Sequence, residues 1–315
     1  MASFQETEWQ PLYLPTDDIK KVRLVGIEFE AKIKPIAEVP EKFQFLTEEK
    51  MDELRVGYNI DYPEEDENYD PEIADMSRSG FMENELDKLG FEFGGIGYDG
   101  GGKEIVTMPD SFNIFEAGGS ERLIKILDML KAATKADKAS GTHIHVSKLD
   151  SDVKTTWQNV YWFCMCFGPQ LQKIFGRISH WARTPLPKDY FTSANDTREK
   201  VFEAPKKQPE TARVYEKGSI VVDKGDRYEF RGPKATHDLD EVLAWTELCH
   251  NIIDVCAKGY IQDVPFSDVL RGKHIRAYVN KIGKKDADRK LSPAERAMRI
   301  SEIGYVRISE QDKLL

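Results

Sequence analysis

Four short segments of this 315-residue chain carry charged or metal-ligating side chains, in three of them at two-residue spacing. They are "GIEFE" with Glu28 and Glu30, "GGKEIVTMP" with Glu104, "GTHIHVS" with His143 and His145, and "RYEFRG" with Arg227, Glu229 and Arg231. In a β-strand, residues i and i+2 share a face. Each segment therefore reads as a strand with polar chemistry on one face. Ile27 and Phe29, Ile105, Ile144 and Val146, and Tyr228 and Phe230 form the apolar faces. His143 and His145 then point the same way, about 7 Å apart by strand rise. Taken singly, each segment is also what a solvated sheet face or an ion-paired strand shows.

Taken together they predict a site. If the four strands are neighbours, Glu28, Glu30, Glu104 and Glu229 converge with two imidazoles on one concave face. Carboxylates packed that closely cannot all stay ionised without a compensating cation. A divalent metal is the simple solution, and oxygen-rich ligands with few nitrogens suit Mg²⁺ or Mn²⁺ better than zinc. Such a site commonly holds phosphates, and an arginine such as Arg231 beside it would neutralise a transferring phosphoryl group. The glycines of "GYDGGGKE" do not match GxxxxGK[ST] and no helix follows them directly, so they predict a tight turn between strands.

The elements that must position these residues alternate without a strict βαβ order, which predicts an α+β domain. "KVRLVGIEFEAKI" is the first strand, with Val25, Ile27, Phe29, Ala31 and Ile33 on one face. An acidic stretch from about 47 to 75 reads as a solvated insertion. "FMENELDKLG" predicts a short helix ending at Gly90. "SERLIKILDMLKAATKADK" predicts an amphipathic helix capped by Ser120. A long apolar helix is expected from about Asp152 to Phe175, with Trp157, Tyr161, Trp162 and Phe163 as core. From Gly176 to Lys217 the chain is basic and proline-bearing, hence loop. "DLDEVLAWTELCHNIIDVCAKG" opens with Asp238 and Glu241 in capping-box spacing and closes on Gly259. Residues 259–315 form a basic C-terminal extension with a capped helix at "SPAERAMRISEI".

Composition is ordinary for a globular protein, with 40% hydrophobic residues. The net charge of -10 argues against a general nucleic-acid coat, and no window reaches the ~18 apolar residues of a membrane span. The opening "MASFQETEW" is polar and acidic and does not read as a secretory signal, so the cytoplasm is the expected compartment. Cys164, Cys166, Cys249 and Cys256 lack zinc or redox spacing and read as buried thiols.

In this order, "GIEFE", "DGGGKEIVTMP", "GTHIHVS", "RISHWAR" and "KGSIVVDKGDRYEFRGPKAT" resemble the amidoligase family of the glutamine-synthetase and glutamate–cysteine-ligase superfamily, over residues 21–258. The resemblance implies a curved antiparallel sheet with helices on one side, holding ATP and Mg²⁺ on its concave face. By motif it places Glu28, Glu30, Glu104, His143 and Glu229 at metal-ligand positions and His145 near the nucleotide phosphates. It puts Arg231 beside the phosphoryl group, with Arg177 or Arg183 as a further phosphate contact. Glu30, Glu229 and Arg231 are the residues it would make catalytic. Where the family has a short Asp-x-Ser, this chain has Asp99 followed by three glycines and Lys103. Related genes are often carried by bacteriophages, which would make the compartment a host cytoplasm.

The function this implies is an ATP-dependent carboxylate–amine ligase acting through an acyl phosphate on a small-molecule or peptide acid and an amine. The alternative is a non-catalytic structural or virion-associated protein that keeps the fold and docks a partner on its basic C-terminal extension. A metal-dependent hydrolase using the two histidines would leave Arg231 without a use.

Overall fold

The computed structural model of the protein describes residues 23–54, 77–92, 94–99, 102–107, 110–111, 120–135, 140–152, 156–157, 159–160, 163–164, 167–177, 220–258 and 266–287. The bulk of the acidic insertion, the helix expected at 292–303 and Arg183 lie outside these residues.

The sheet is built on strand β1 (Leu24–Ile33), whose even and odd positions differ as the sequence predicts. Ile27, Phe29 and Ala31 are buried, Glu28 and Glu30 are half-buried, and Lys32 is exposed. The remaining strands are β2 (Gly95–Asp99), β3 (Gly102–Val106), β4 (Asp110–Ser111), β5 (Thr134–Lys135), β6 (Thr142–Ser147), β7 (Val221–Asp223) and β8 (Arg227–Phe230). They form an open sheet in the order β2-β3-β1-β6-β8-β7, with β4 and β5 pairing at opposite ends of β1. Every pairing is antiparallel. With helices on the same chain, this is an α+β architecture.

Register fixes which residues meet. Glu28 lies opposite His143, Glu30 opposite Glu104, Gly26 opposite His145, and His145 opposite Glu229. A slip of one residue would turn every one of these side chains to the other face. It is resisted by the apolar set Ile27, Phe29, Ile105, Ile144, Val146, Tyr228 and Phe230, all buried in one core.

Among the described residues six α-helices accompany the sheet: α1 (Glu48–Glu53), α2 (Arg78–Lys88), α3 (Ser120–Ala133), α4 (Gly168–Phe175), α5 (Leu239–Ala257) and α6 (Lys273–Ala287). The helix predicted to end at Gly90 does so. Gly90 adopts φ of 69° and Phe91 N–H reaches back to Leu86 O, a left-handed glycine stop. Ile126, Leu127, Leu130, Trp245, Leu248 and Ile252 join α3 and α5 to the apolar sheet core.

Four sequence expectations change. The helix from Ser120 stops at Ala133, because Thr134 and Lys135 are drawn into pairing with β1. The long helix of 152–175 is interrupted: Phe167 is a turn residue and α4 restarts at Gly168 with a proline in its first turn, where the missing N–H is tolerated. The acidic stretch does not begin as solvated chain. Thr47 caps α1 and Met51 is fully buried. Asp238 caps α5, but Glu241 forms no reciprocal box; its carboxylate takes Thr236 Oγ1, Lys234 Nζ and Tyr278 OH instead.

Past residue 258 the chain returns to the core. Phe266, Val269 and Ile275 are buried, and Tyr278 sets its ring edge-on to Trp245. Glu247 on α5 accepts the Ile275 N–H at 2.7 Å near the start of α6. Among the described residues no helix is long and apolar enough to cross a membrane.

Arg23, just before β1, ties the sheet to its surroundings. Its guanidinium donates to both oxygens of Asp152 (2.5 and 2.8 Å) and to Asp254 on α5 (3.0 Å). The Arg23 and Asp152 side chains are 3% and 1% exposed. Burial pushes the Asp152 carboxyl up, but hydrogen bonds from Arg23 and Leu149 N–H with the Arg23 charge hold it below its ordinary value. A depressed carboxyl stabilises the fold above its unfolded value, near pH 3.9, and that contribution is lost as pH falls through the lower folded value. Arg23→Leu should cost about 3–5 kcal/mol in urea denaturation at pH 7, by stranding a buried carboxylate. Its stability should fall less than wild type's when the same titration is run below pH 4. A variant as stable as wild type at pH 7 would show that the pair is not structural.

Candidate functional site

β1, β6 and β8 place three ligand-type groups together by register alone. Glu28 Oε1 lies 2.7 Å from His143 Nδ1, which is also 3.2 Å from Glu229 Oε1. Glu28, His143 and Glu229 each offer one atom, all within 4.8 Å of one another. His143 is 1% exposed, and its Nε2 faces Glu30 Oε1 at 3.1 Å. One imidazole therefore touches three of the four glutamates. Glu28 also meets His145 through Oε2 at 3.2 Å, and His145 Nδ1 accepts from Arg227 Nε at 3.2 Å.

Glu104, the fourth, is the direct cross-strand partner of Glu30 and is half-buried. Like charges directly opposite one another repel. It falls outside the tight Glu28–His143–Glu229 group, whereas sequence reasoning put all five ligand-type residues in one set.

Arg177 sits under this row. It donates to Glu30 Oε2 at 2.8 Å and to Arg231 O at 3.1 Å, and it lies 3.2 Å from His143 Nε2. Its described contacts are thus to the protein's own groups. Arg231 is close to Glu229, Nε to Oε1 3.4 Å, and Lys224 Nζ is 3.0 Å from Glu229 Oε2. The side chain of Asp99 and all of Arg183 lie outside the described residues.

These charges reset one another. Burial disfavours the charged form of His143, but the Glu28 charge and hydrogen bonds to Glu229, Glu28 and Glu30 outweigh it, so the imidazole is held well above its ordinary value. Burial pushes the Glu28 carboxyl up, yet the His143 charge and the two histidine hydrogen bonds bring it well below the usual carboxylate range. Glu30 is lowered against burial by His143, Arg177 and Gly141 N–H. Glu229 is lowered against burial chiefly by its His143 hydrogen bond. The raised imidazole stabilises the fold below its unfolded value, near pH 6.5, and ceases to as pH rises through the folded one. The lowered carboxyls stabilise above about pH 4.5 and cease to as pH falls through theirs. Sequence reasoning assigned the balancing charge to a metal. Here the chain supplies cations of its own, in His143 and Arg177.

The residues nevertheless fit a divalent ion. Two carboxylates and one imidazole at this spacing are a hard, oxygen-rich donor set. Glu229 Oε2 is buried without a hydrogen bond, since the Lys224 ammonium is within ion-pair distance but outside hydrogen-bond geometry. A metal here must displace the proton on His143 Nδ1, so its affinity must rise with pH.

Sequence reasoning overlooked Lys224, Gly26 and Gly141, and read Gly97 as part of a turn where the structure has it inside β2. Lys224 sits in the three-residue turn between β7 and β8, where Gly225 takes φ of 93°; "DKGD" between two short strands is the signal that could have found it. Gly26 opposite His145 and Gly97 opposite Glu104 keep side chains off the site face. Gly141 does more. A Cβ there would lie 1.9 Å from Arg177 Nη1, inside the guanidinium, and its N–H donates to Glu30 Oε2.

No protein-family model matches the chain, and the search of curated proteins returned no match.

Gly141→Ala should displace Arg177, uncouple it from Glu30, and cost about 1–3 kcal/mol by overpacking. Gly283→Ala in α6 is the control: its added Cβ meets nothing within 4 Å, and it should gain up to about 1 kcal/mol. Urea midpoints of the two variants that moved in the same direction would show that Gly141 is not reserved for Arg177.

Proposed function

We propose that the chain is an ATP-dependent carboxylate–amine ligase that uses Mg²⁺ or Mn²⁺, on a curved sheet of the glutamine-synthetase kind. The observation that carries this reading is the Glu28–His143–Glu229 group, with its atoms within 4.8 Å of one another and the Arg231 and Lys224 cations at Glu229. Acidic ligands flanked by fixed cations suit a triphosphate, which brings both negative oxygens and the need to neutralise a moving phosphoryl group.

Glu28, Glu229 and His143 would hold the ion, which when bound supplies charge neutralisation for phosphate oxygens. The chain's own side chains do the rest by positioning. Arg227 and Glu28 grip the two nitrogens of His145 and fix its ring, so that His145 positions the Glu28 carboxylate and the Arg227 guanidinium beside the phosphates and does not itself donate to them. Arg177 and Gly141 hold Glu30 still. The Arg231 guanidinium, one-fifth exposed beside Glu229, meets the charge developing on the γ-phosphoryl group. The substrate carboxylate attacks that phosphorus and ADP leaves. The amine then attacks the acyl carbon, its nitrogen–carbon bond forms, and inorganic phosphate departs with the carbon–oxygen electrons and takes up the proton that the amine nitrogen loses.

One observation favours the alternative, a non-catalytic protein that keeps the fold. His143 and Arg177 already balance the acids without any metal. The two readings differ in what Arg231 is for. Lysine keeps its charge but loses the planar fork, so in the ligase Arg231→Lys should bind ATP nearly normally. Its rate of ADP release should fall by about two to three orders of magnitude. In the structural protein the same change should cost at most about 1 kcal/mol and nothing else.

The test is mass spectrometry of ADP and amide products from a panel of acids and amines with Mg²⁺ or Mn²⁺. It is paired with melting curves of wild type and Glu229→Gln. Saturating metal, near 100 Kd, should stabilise wild type by about 2.7 kcal/mol and the variant by much less. A metal effect of equal size in both proteins removes Glu229 as a ligand. Turnover that Arg231→Lys leaves unchanged removes Arg231 from the mechanism, and no ADP or amide from any pair favours the structural protein.

A further inference from the structure

Beyond Glu30 the site face of β1 continues to Lys32, which lines a pocket of about 560 Å³. The other charged residues of its wall are Lys34, Lys103, Lys135, Glu48 and Glu49. Ile33 and Leu46 add apolar surface.

The charges in this wall do not cancel internally. Lys103 Nζ donates to Glu48 at 2.6 Å, and Lys135 pairs with Glu38 at 3.2 Å. Among the described residues Lys34 Nζ donates only to the carbonyls of Lys131 and Ala132 (2.8 and 2.9 Å), at the end of α3. An ammonium has three N–H groups, so one is left for a ligand. Among the described residues the Lys32 ammonium and the Glu49 carboxylate have no hydrogen bond or ion pair. Among the described residues the wall therefore offers two cations with no carboxylate on them and one carboxylate with no cation. Register adds a second observation. Lys32 lies directly opposite Lys135 on β5, so its cross-strand neighbour is a cation whose own acid is Glu38, and Lys32 gains no carboxylate from the pairing.

We propose that this pocket binds the end of a short acidic peptide, its carboxylates on Lys32 and Lys34 and its terminal ammonium on Glu49. Size separates a peptide from a free amino acid. The volume lies in the ~300–1,000 Å³ range of sites for larger ligands, several times what one small amino acid fills. Position agrees. Lys32 is four residues from Glu28 on β1, about 13 Å by strand rise, and an extended tetrapeptide spans up to about 14 Å. A peptide anchored here reaches the Glu28–His143–Glu229 group. The peptide's role as a substrate rests on the proposed ligase, but its binding does not.

Calorimetric titration of the full chain in EDTA, without ATP, tests the pocket alone. The probe is tetraglutamate with a free N-terminus, compared with tetraalanine, free L-glutamate and N-acetylated tetraglutamate. Tetraglutamate should bind, more tightly at low salt, with tetraalanine and L-glutamate at least tenfold weaker. Lys32→Ala should weaken tetraglutamate about tenfold, and Glu49→Gln about fivefold, as loss of one charge-assisted contact does. Glu49→Gln should leave the acetylated peptide unaffected, a selectivity that general surface charge would not produce. Both variants should keep the wild-type response of the melting curve to metal.

Equal binding of tetraalanine, indifference of tetraglutamate to both substitutions, or displacement of the peptide by ATP in EDTA each overturns the proposal. Peptide binding without any turnover would defeat the ligase and leave the pocket. Turnover without peptide binding would do the reverse.

Discussion

Four glutamates on one face of a sheet set a charge problem, and the fold meets it with one buried imidazole. His143 reaches Glu28 and Glu229 through Nδ1 and Glu30 through Nε2, so its charge is shared among three carboxylates. Arg177 then takes the second oxygen of Glu30. Remove the positive charge from His143 and Glu28 loses its chief compensation, while Glu30 keeps Arg177 and Glu229 keeps Lys224 and Arg231. Buried charges of this kind persist only when paired and hydrogen-bonded. The register of β1, β6 and β8, the glycines that clear the face, and the route of the chain that delivers Arg177 all follow from keeping that imidazole in place.

The scaffold divides the labour along β1. At its start, Arg23 is anchored to Asp152 and Asp254, so the strand cannot slide relative to α5. In the middle, Glu28 and Glu30 present their carboxylates while Ile27 and Phe29 hold the opposite face in the core. At its end, Lys32 and Lys34, with no carboxylate on them among the described residues, line a pocket. A central strand with antiparallel partners on both sides is a rigid place to carry such a gradient. A site on strands holds geometry more tightly than one on loops.

The sheet was readable because its period is two and its apolar residues are β-branched or aromatic. Glu28, Glu30, Glu104, His143, His145, Glu229 and Arg231 could each be assigned a face from sequence, and register then brought most of them together. Which of them touch was not readable. Strand order and register are long-range facts, and Glu104 differs from Glu28 only in which neighbour it faces. Helix limits failed where tertiary pairing beat local propensity, as at Thr134–Lys135. They also failed where a local breaker sat inside an apolar run, as at Gly168–Pro169. Charge balance was the deepest miss. Repulsion among the acids was foreseen, but Arg177 and Lys224 lie in segments whose composition says only loop or turn.

Two answers to one electrostatic demand are therefore superposed in the same atoms. His143 Nδ1 bears a proton that faces Glu28 and Glu229, and those three atoms are also the group a divalent ion would need. Proton and metal cannot both occupy that position. In a protein that binds metal there, the proton on His143 keeps the acids from repelling one another until the ion arrives. Arg177 holds Glu30 in either condition, because its bond to Glu30 involves neither the Nδ1 proton nor the ion. This separation lets the apo site be stable without being spent: the charge that must leave is on one histidine nitrogen, while the charge that must stay is on a guanidinium whose fixed pKa keeps it there. An arginine beneath the row and a histidine within it are, on this argument, not interchangeable cations. Only the histidine can give its charge up.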